Sequence, residues 1–166
     1  MEARALARLG DTKGCDRAMA EAVREFERRR PEDDPGWFQY FDEAELSAEF
    51  GHCMRDVGRA ADATQYADRC VATADNGMFV RSDFFATMVL ADAQLAAGEP
   101  EQACGTALIA LTAGEQIRSG RCVNYLREFH QHLARVGTTT SVVEFNQQAL
   151  GSRLWRIATR PDKAAA

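Results

Sequence analysis

Glycines at positions 10, 58, 98 and 137 carry the same surroundings each time, and this recurrence constrains the fold more than any other feature of the chain. Five residues after them stand Cys15, Ala63, Ala103 and Val142, twelve after them Ala22, Cys70, Ala110 and Ala149, and seven before them Ala3, Gly51, Ala91 and His130. The glycines lie 48, 40 and 39 residues apart, in the range of stacked helix-pair repeats. Small residues are required where two helices cross closely, and glycine where the chain leaves a helix through a left-handed conformation. His130 is the misfit in this frame.

Between the glycines the apolar residues are spaced as on helices. Cys15, Ala18, Met19, Ala22, Val23 and Phe26 show it, as do Cys122, Tyr125, Leu126, Phe129, Leu133 and Val136, and no stretch alternates as a strand does. The pattern predicts an all-α fold, a right-handed α-solenoid of about four helix pairs. Helices are expected over residues 2–9, 12–29, 42–57, 60–74, 82–97, 100–116, 119–136 and 140–158. Asp42 and Ser82 read as helix caps, Pro100 as a first-turn residue, and Ser141-Val-Val-Glu144 as a capping box. Residues 1–158 form one helical repeat domain and residues 159–166 a C-terminal tail. The first pair is incomplete, because only about eight residues precede Gly10. Leu6, Leu9 and Met19 are therefore expected to lack cover, which favours a homo-oligomer or a partner at that end.

Charge and cysteine usage narrow the function classes. A formal charge of −5 argues against direct nucleic-acid contact, since such a surface needs a basic field. Arg28-Arg29-Arg30 is followed at once by Glu32, Asp33 and Asp34, the pattern of a solvated helix end. No run is long and apolar enough for a membrane span, and the amino terminus lacks a signal-peptide core, so a cytoplasmic protein without membrane contact is expected. The five cysteines are odd in number and form no Cys-x-x-Cys pair, which suits small buried thiols in a reducing compartment.

Leu9-Gly10, Val57-Gly58, Ala97-Gly98 and Val136-Gly137, with Ala63 and Cys70 or Ala103 and Ala110 in the following helix, resemble tetratricopeptide repeats over residues 2–150. The aromatic that the family places after its first glycine is replaced by Met54 and Gln94, and the proline that closes each repeat is missing. More narrowly, Trp37 to Val57 is similar to the C-terminal tetratricopeptide (TPR) region of actinobacterial Xre-type transcription regulators. The similarity runs through Tyr40-Phe41-Asp42-Glu43-Ala44-Glu45-Leu46 and Gly51-His52-Cys53-Met54-Arg55-Asp56-Val57-Gly58, with Arg81-Ser82 and Arg118-Ser119 ahead of the later repeats. The resemblance implies a sensory or oligomerising module, with DNA binding carried by a separate helix-turn-helix that this sequence does not contain.

In the repeat frame, equivalent outward positions of the first helices line a concave groove. They are Glu45, Ala48, His52 and Arg55, then Phe85, Met88, Asp92 and Leu95, then Asn124, Arg127, Gln131 and Ala134. Phe85 and Met88 offer apolar contact, while Arg55, Asn124 and Arg127 offer directed donors for a peptide, protein or small acidic ligand. Trp37, Phe38, Tyr40 and Phe41 are too apolar to leave in water; they are expected to fold onto the first helix pair, as a plug or as one wall of a pocket. His52 beside Arg55 and facing Asp92 is the single acid–base constellation in this frame. His130 and His132 diverge on a helix, as do the adjacent His52 and Cys53, and no glycine-rich phosphate loop occurs, so no metal, no cofactor and no catalytic residue are expected. The expected function is a non-enzymatic binding module. The alternative is a small-molecule-binding protein or enzyme of a specialised-metabolite pathway on the same scaffold.

Overall fold

The structure, a computed structural model, describes residues 1–36, 41–73 and 80–160. These residues form nine α-helices and no strand: α1 (Glu2–Arg8), α2 (Thr12–Arg28), α3 (Glu43–Asp56), α4 (Ala60–Thr73), α5 (Val80–Ala96), α6 (Pro100–Ala113), α7 (Gly120–Val136), α8 (Thr140–Ala149) and α9 (Arg153–Ala158). None of them is long and apolar enough to cross a membrane.

Side-chain caps set several helix starts. Asp11 accepts from the Gly14 N–H at 2.8 Å, Asp42 from Glu45 at 3.0 Å and Thr139 from Val142 at 3.3 Å, and Pro100 opens α6. Two expected caps are displaced. Ser82 lies within α5, which starts at Val80, and Ser141 lies within α8, where its hydroxyl meets that of the true cap Thr139 at 2.9 Å. Residues 140–158, expected as one helix, are two. Ser152 caps α9 by accepting from Trp155, and Arg156 donates to the Leu150 and Gly151 carbonyls that the break exposes, at 2.8 and 3.0 Å. Arg153, at the start of the same helix, likewise donates to the Ile117 carbonyl at 3.0 Å.

Three turns are built alike. At Gly10, Gly58 and Gly98 φ is +76°, +78° and +82°; each glycine N–H donates three residues back, to Ala7, Arg55 and Leu95, and the following N–H donates to Leu6, Met54 and Gln94. This paired pattern closes a helix only with a left-handed residue at the turn, which is why glycine recurs there. Gly137 is different: its φ of +91° with ψ of −168° lies outside the left-handed helical region of the other three, and the paired bonds are missing.

The packing follows the turns. α1 packs on α2, α3 on α4 and α5 on α6, while α1, α3, α5 and α7 follow one another as a row. After Gly137 the arrangement changes, with α8 against α6 and α7 against α9. The recurring small residues sit at the crossings, Cys15, Ala63, Ala103 and Ala110 being wholly buried. His130 occupies a site where its ring meets Trp155 edge-on, at 5.4 Å between centroids.

Two cores result. One, between α1 and α4, is made of Ala3, Ala7, Cys15, Met19, Cys53, Met54 and Ala63 with Phe50 at its edge. The other, from α5 to α9, is rich in large rings, with Phe145 edge-on to both Phe129 (5.8 Å) and Trp155 (5.0 Å). Gly114 lets that core close. A Cβ there would come within 2.8 Å of the Phe84 ring and 3.1 Å of Leu154. Of the side chains expected to lack cover at the amino-terminal end, Met19 is buried, Leu6 is half-buried against the core, and Leu9 is exposed.

Candidate functional site

The helix row α1, α3, α5, α7 carries a polar seam where an open groove was expected. Tyr125 of α7 is its centre, buried beside His52 of α3. Arg4 of α1 donates to the Tyr125 hydroxyl at 3.1 Å and Arg121 at 3.5 Å, while His52 Nδ1 lies 3.2 Å from the same oxygen. With two donors filling its lone pairs, the hydroxyl directs its own proton to His52, which requires a neutral imidazole. The surroundings enforce that state: burial first, then the positive field of Arg4, Arg55, Arg121 and Arg8, holds the His52 pKa well below its ordinary value.

A second set of charges lies beside it. Arg55 donates to Asp56 through Nε at 2.9 Å and through a terminal nitrogen at 2.6 Å, and its other terminal nitrogen stands 3.7 Å from Asp92 and 3.9 Å from Glu128. Its guanidinium also covers the Tyr125 ring at 5.0 Å. Asp92 in turn meets His132 Nδ1 at 3.0 Å, and this hydrogen bond raises the His132 pKa. Arg55 Nη1 and Asp56 Oδ2 are buried without hydrogen-bond partners, the imperfection of a tightly packed charge cluster.

Open space lies to either side of Arg4. The larger cleft, about 750 Å³, runs between α1, α2 and α3 over an apolar floor that includes Leu6, Ala18, Ala22, Leu46 and Phe50. The smaller cavity, about 470 Å³, lies above Tyr125 between Arg4 and Arg8 of α1 and Arg121, Asn124 and Glu128 of α7. Arg4 and Glu49, joined at 3.4 Å, line both.

The structure redistributes the expected groove residues. Glu45 lines the larger cleft. His52, Arg55 and Asp92 enter the seam, but His52 bonds to Tyr125 and Asp92 to His132, so the expected His52–Asp92 partnership does not form. Phe85 is buried against Tyr125, at 5.0 Å between centroids, and Met88 and Leu95 belong to the core, so none of the three forms an open groove wall. Asn124 lines the smaller cavity and accepts from Arg127 at 2.9 Å, and Gln131 is exposed. Phe41 lines the larger cleft and stands edge-on to Phe26 of α2, with its carbonyl accepting from Arg29. Trp37, Phe38 and Tyr40 lie outside the described residues.

The sequence frame missed Arg4, Arg121, Tyr125 and His132. On α7 the inward positions are one later than a count back from Gly137 gives, Tyr125 and His132 replacing Asn124 and Gln131. The different turn at Gly137 makes that count a false register. A stripe at 121, 125, 128 and 132, spaced by four, three and four, was the signal available.

All five cysteines are buried and unbridged; burial pushes the Cys53 and Cys70 thiols up to about 12, which leaves them inert at neutral pH. Among the described residues no group of three His, Cys, Asp or Glu side chains is placed to hold a metal ion. No protein-family model, no curated protein and no solved structure matches this chain.

Proposed function

We propose that this chain is a non-enzymatic binding module, its helix pairs stacked in the manner of a tetratricopeptide-repeat solenoid, acting as the sensory or oligomerising part of a transcription regulator. The observation that carries the binding reading is the cleft of about 750 Å³ between α1, α2 and α3, which lies in the size range of small-molecule sites and has an apolar floor. The helix row offers less, because its polar groups are turned toward one another: His52 is 2% exposed and Asp92 5%. That inward pairing favours a binding role over acid–base chemistry at these residues. The regulatory role rests on the sequence resemblance alone.

Nile red, an uncharged dye whose fluorescence rises in apolar surroundings, tests the cleft without reference to charge. Its emission should rise with the wild-type protein and fall to the free-dye level with Ala22→Trp, which places a ring in the cleft, at unchanged helicity by circular dichroism. Equal emission from both proteins would put the binding surface elsewhere. The regulatory role is tested by the coding region: a helix-turn-helix encoded in the same or the adjacent frame supports it, and its absence removes it.

A further inference from the structure

The larger cleft has a rim of net negative charge over its apolar floor. Glu2, Asp11, Glu21, Glu25, Glu45 and Glu49 line it against Arg4 and Arg17, a formal charge of −4, or −3 with the Met1 amino group. Some of these carboxylates are engaged: Glu49 with Arg4, Asp11 as the cap of α2. Glu21 and Glu25 pair with Arg24 and Arg28 one turn away, in exposed contacts that solvent screens. Glu45 is half-buried, and among the described residues no ion pair engages it.

A carboxylate beside an apolar wall acts through a lower effective dielectric than one in open water, so its preference for a cation is strengthened. Phe41 and Phe50 line the same space, and an aromatic ring attracts a cation that settles over its face. A neutral hydrophobe would fill the floor and leave Glu45 without a partner. A small hydrophilic cation would pair with the rim and leave the floor wet. We infer that the cleft takes a hydrophobic organic cation, a small molecule with an apolar body and one amine or quaternary ammonium group. This rests on the reading of the cleft as the binding site.

Tetraphenylphosphonium and tetraphenylborate, ions of nearly the same shape and opposite charge, separate the two readings when titrated into the full chain by calorimetry at low ionic strength. The phosphonium should bind at least about tenfold more tightly than the borate. Glu45→Gln should narrow that ratio severalfold, and Ala22→Trp should abolish phosphonium binding. Equal affinities, or a preference for the borate, would overturn the cation inference, and loss of both in Ala22→Trp would show the cleft itself to be the site. Binding of both ions untouched by Ala22→Trp would overturn the cleft reading and the inference with it. No binding of either ion at millimolar concentration would also overturn the inference, the Nile red result then deciding on the cleft alone.

Discussion

The two ends of the molecule solve the same packing problem with different residues. From α1 to α4 the helices meet through Ala3, Ala7, Cys15, Cys53 and Ala63, with Met19 and Met54 between them. From α5 to α9 they meet through Phe84, Phe129, Phe145 and Trp155, each 2% exposed or less. Small residues permit close and regular crossings, and the regular turns at Gly10 and Gly58 accompany them; the third such turn, at Gly98, joins α5 to α6 at the border of the second core, where Ala103, Ala107 and Ala110 make the same kind of crossing. Small residues also supply little volume where helices diverge. The cleft lies at the amino-terminal end, between α1, α2 and α3, where Phe50 of that core turns to Tyr66 at 5.5 Å and the remaining floor is small or aliphatic, Leu6, Ala18, Ala22 and Leu46. At the other end rings fill the interior, and the price in regularity is the altered turn at Gly137 and the broken helix at Leu150–Ser152. Space for a ligand follows from the packing material.

The largest effect expected from this contrast is at Phe129, wholly buried and edge-on to Phe145. Phe129→Ala should cost about 3–5 kcal/mol by urea denaturation, for lost transfer energy and the cavity left behind. A cost near that of an exposed substitution would mean that the carboxy-terminal core is loosely filled and the contrast false.

Ala110 and Ala22 test it at matched positions, both twelve residues after a turn glycine. Ala110 is wholly buried, whereas Ala22 lines the cleft. Ala110→Leu should overpack its crossing and cost about 1–3 kcal/mol. Ala22→Leu should cost less than about 0.5 kcal/mol, since its added atoms enter open space. Equal costs would show that the cleft is closed in solution.

The turns give a comparison of similar kind. Asn tolerates the left-handed conformation of a helix end, so Gly98→Asn should cost less than about 1 kcal/mol. Gly137, with φ of +91° and ψ of −168°, occupies a region that is nearly glycine's alone. Gly137→Asn should cost about 1–3 kcal/mol in the same denaturation assay. Similar values would make the fourth turn equivalent to the others.

The sequence displayed the regular parts of this structure and concealed the rest for a physical reason. A glycine that closes a helix in a fixed hydrogen-bond pattern also fixes the phase of the helices around it. Counting from Gly10, Gly58 and Gly98 therefore located Cys15, Ala63, Ala103 and Ala110 at the crossings. Counting forward from Gly137 still located Val142 and Ala149 in the core, but counting back failed, and Asn124 and Gln131 were taken for Tyr125 and His132. Polar pairing is harder still to read, because Arg4 reaches Tyr125 across 121 positions with no periodic trace. The Gly151-Ser152 break was visible as a cap signal inside a helix expected to be continuous. The cleft had no motif, being a shortage of side-chain volume, and of its lining residues Glu45 and Phe41 were the ones named in advance as site residues.

The seam between the two ends supplies the smallest expected effect, because its two histidines oppose each other. His52, on the amino-terminal side, has its pKa held well below the usual 6.5, so the unfolded chain binds a proton on acidification that the native protein refuses. Stability is therefore lost through His52 as pH falls below about 6.5. His132, on the carboxy-terminal side, has its pKa raised by Asp92, so its contribution is fully present below the unfolded value and is lost as pH rises through the folded one. His52 is buried whereas the His132 side chain is 44% exposed and screened, so the first effect wins. Urea denaturation of the wild type should show a modest loss of stability on acidification from neutral pH. In His132→Gln the loss should steepen, and in His52→Gln the sign should reverse or the slope vanish. A His52→Gln protein that retained the wild-type acid slope would show that the seam's pH response does not arise at His52.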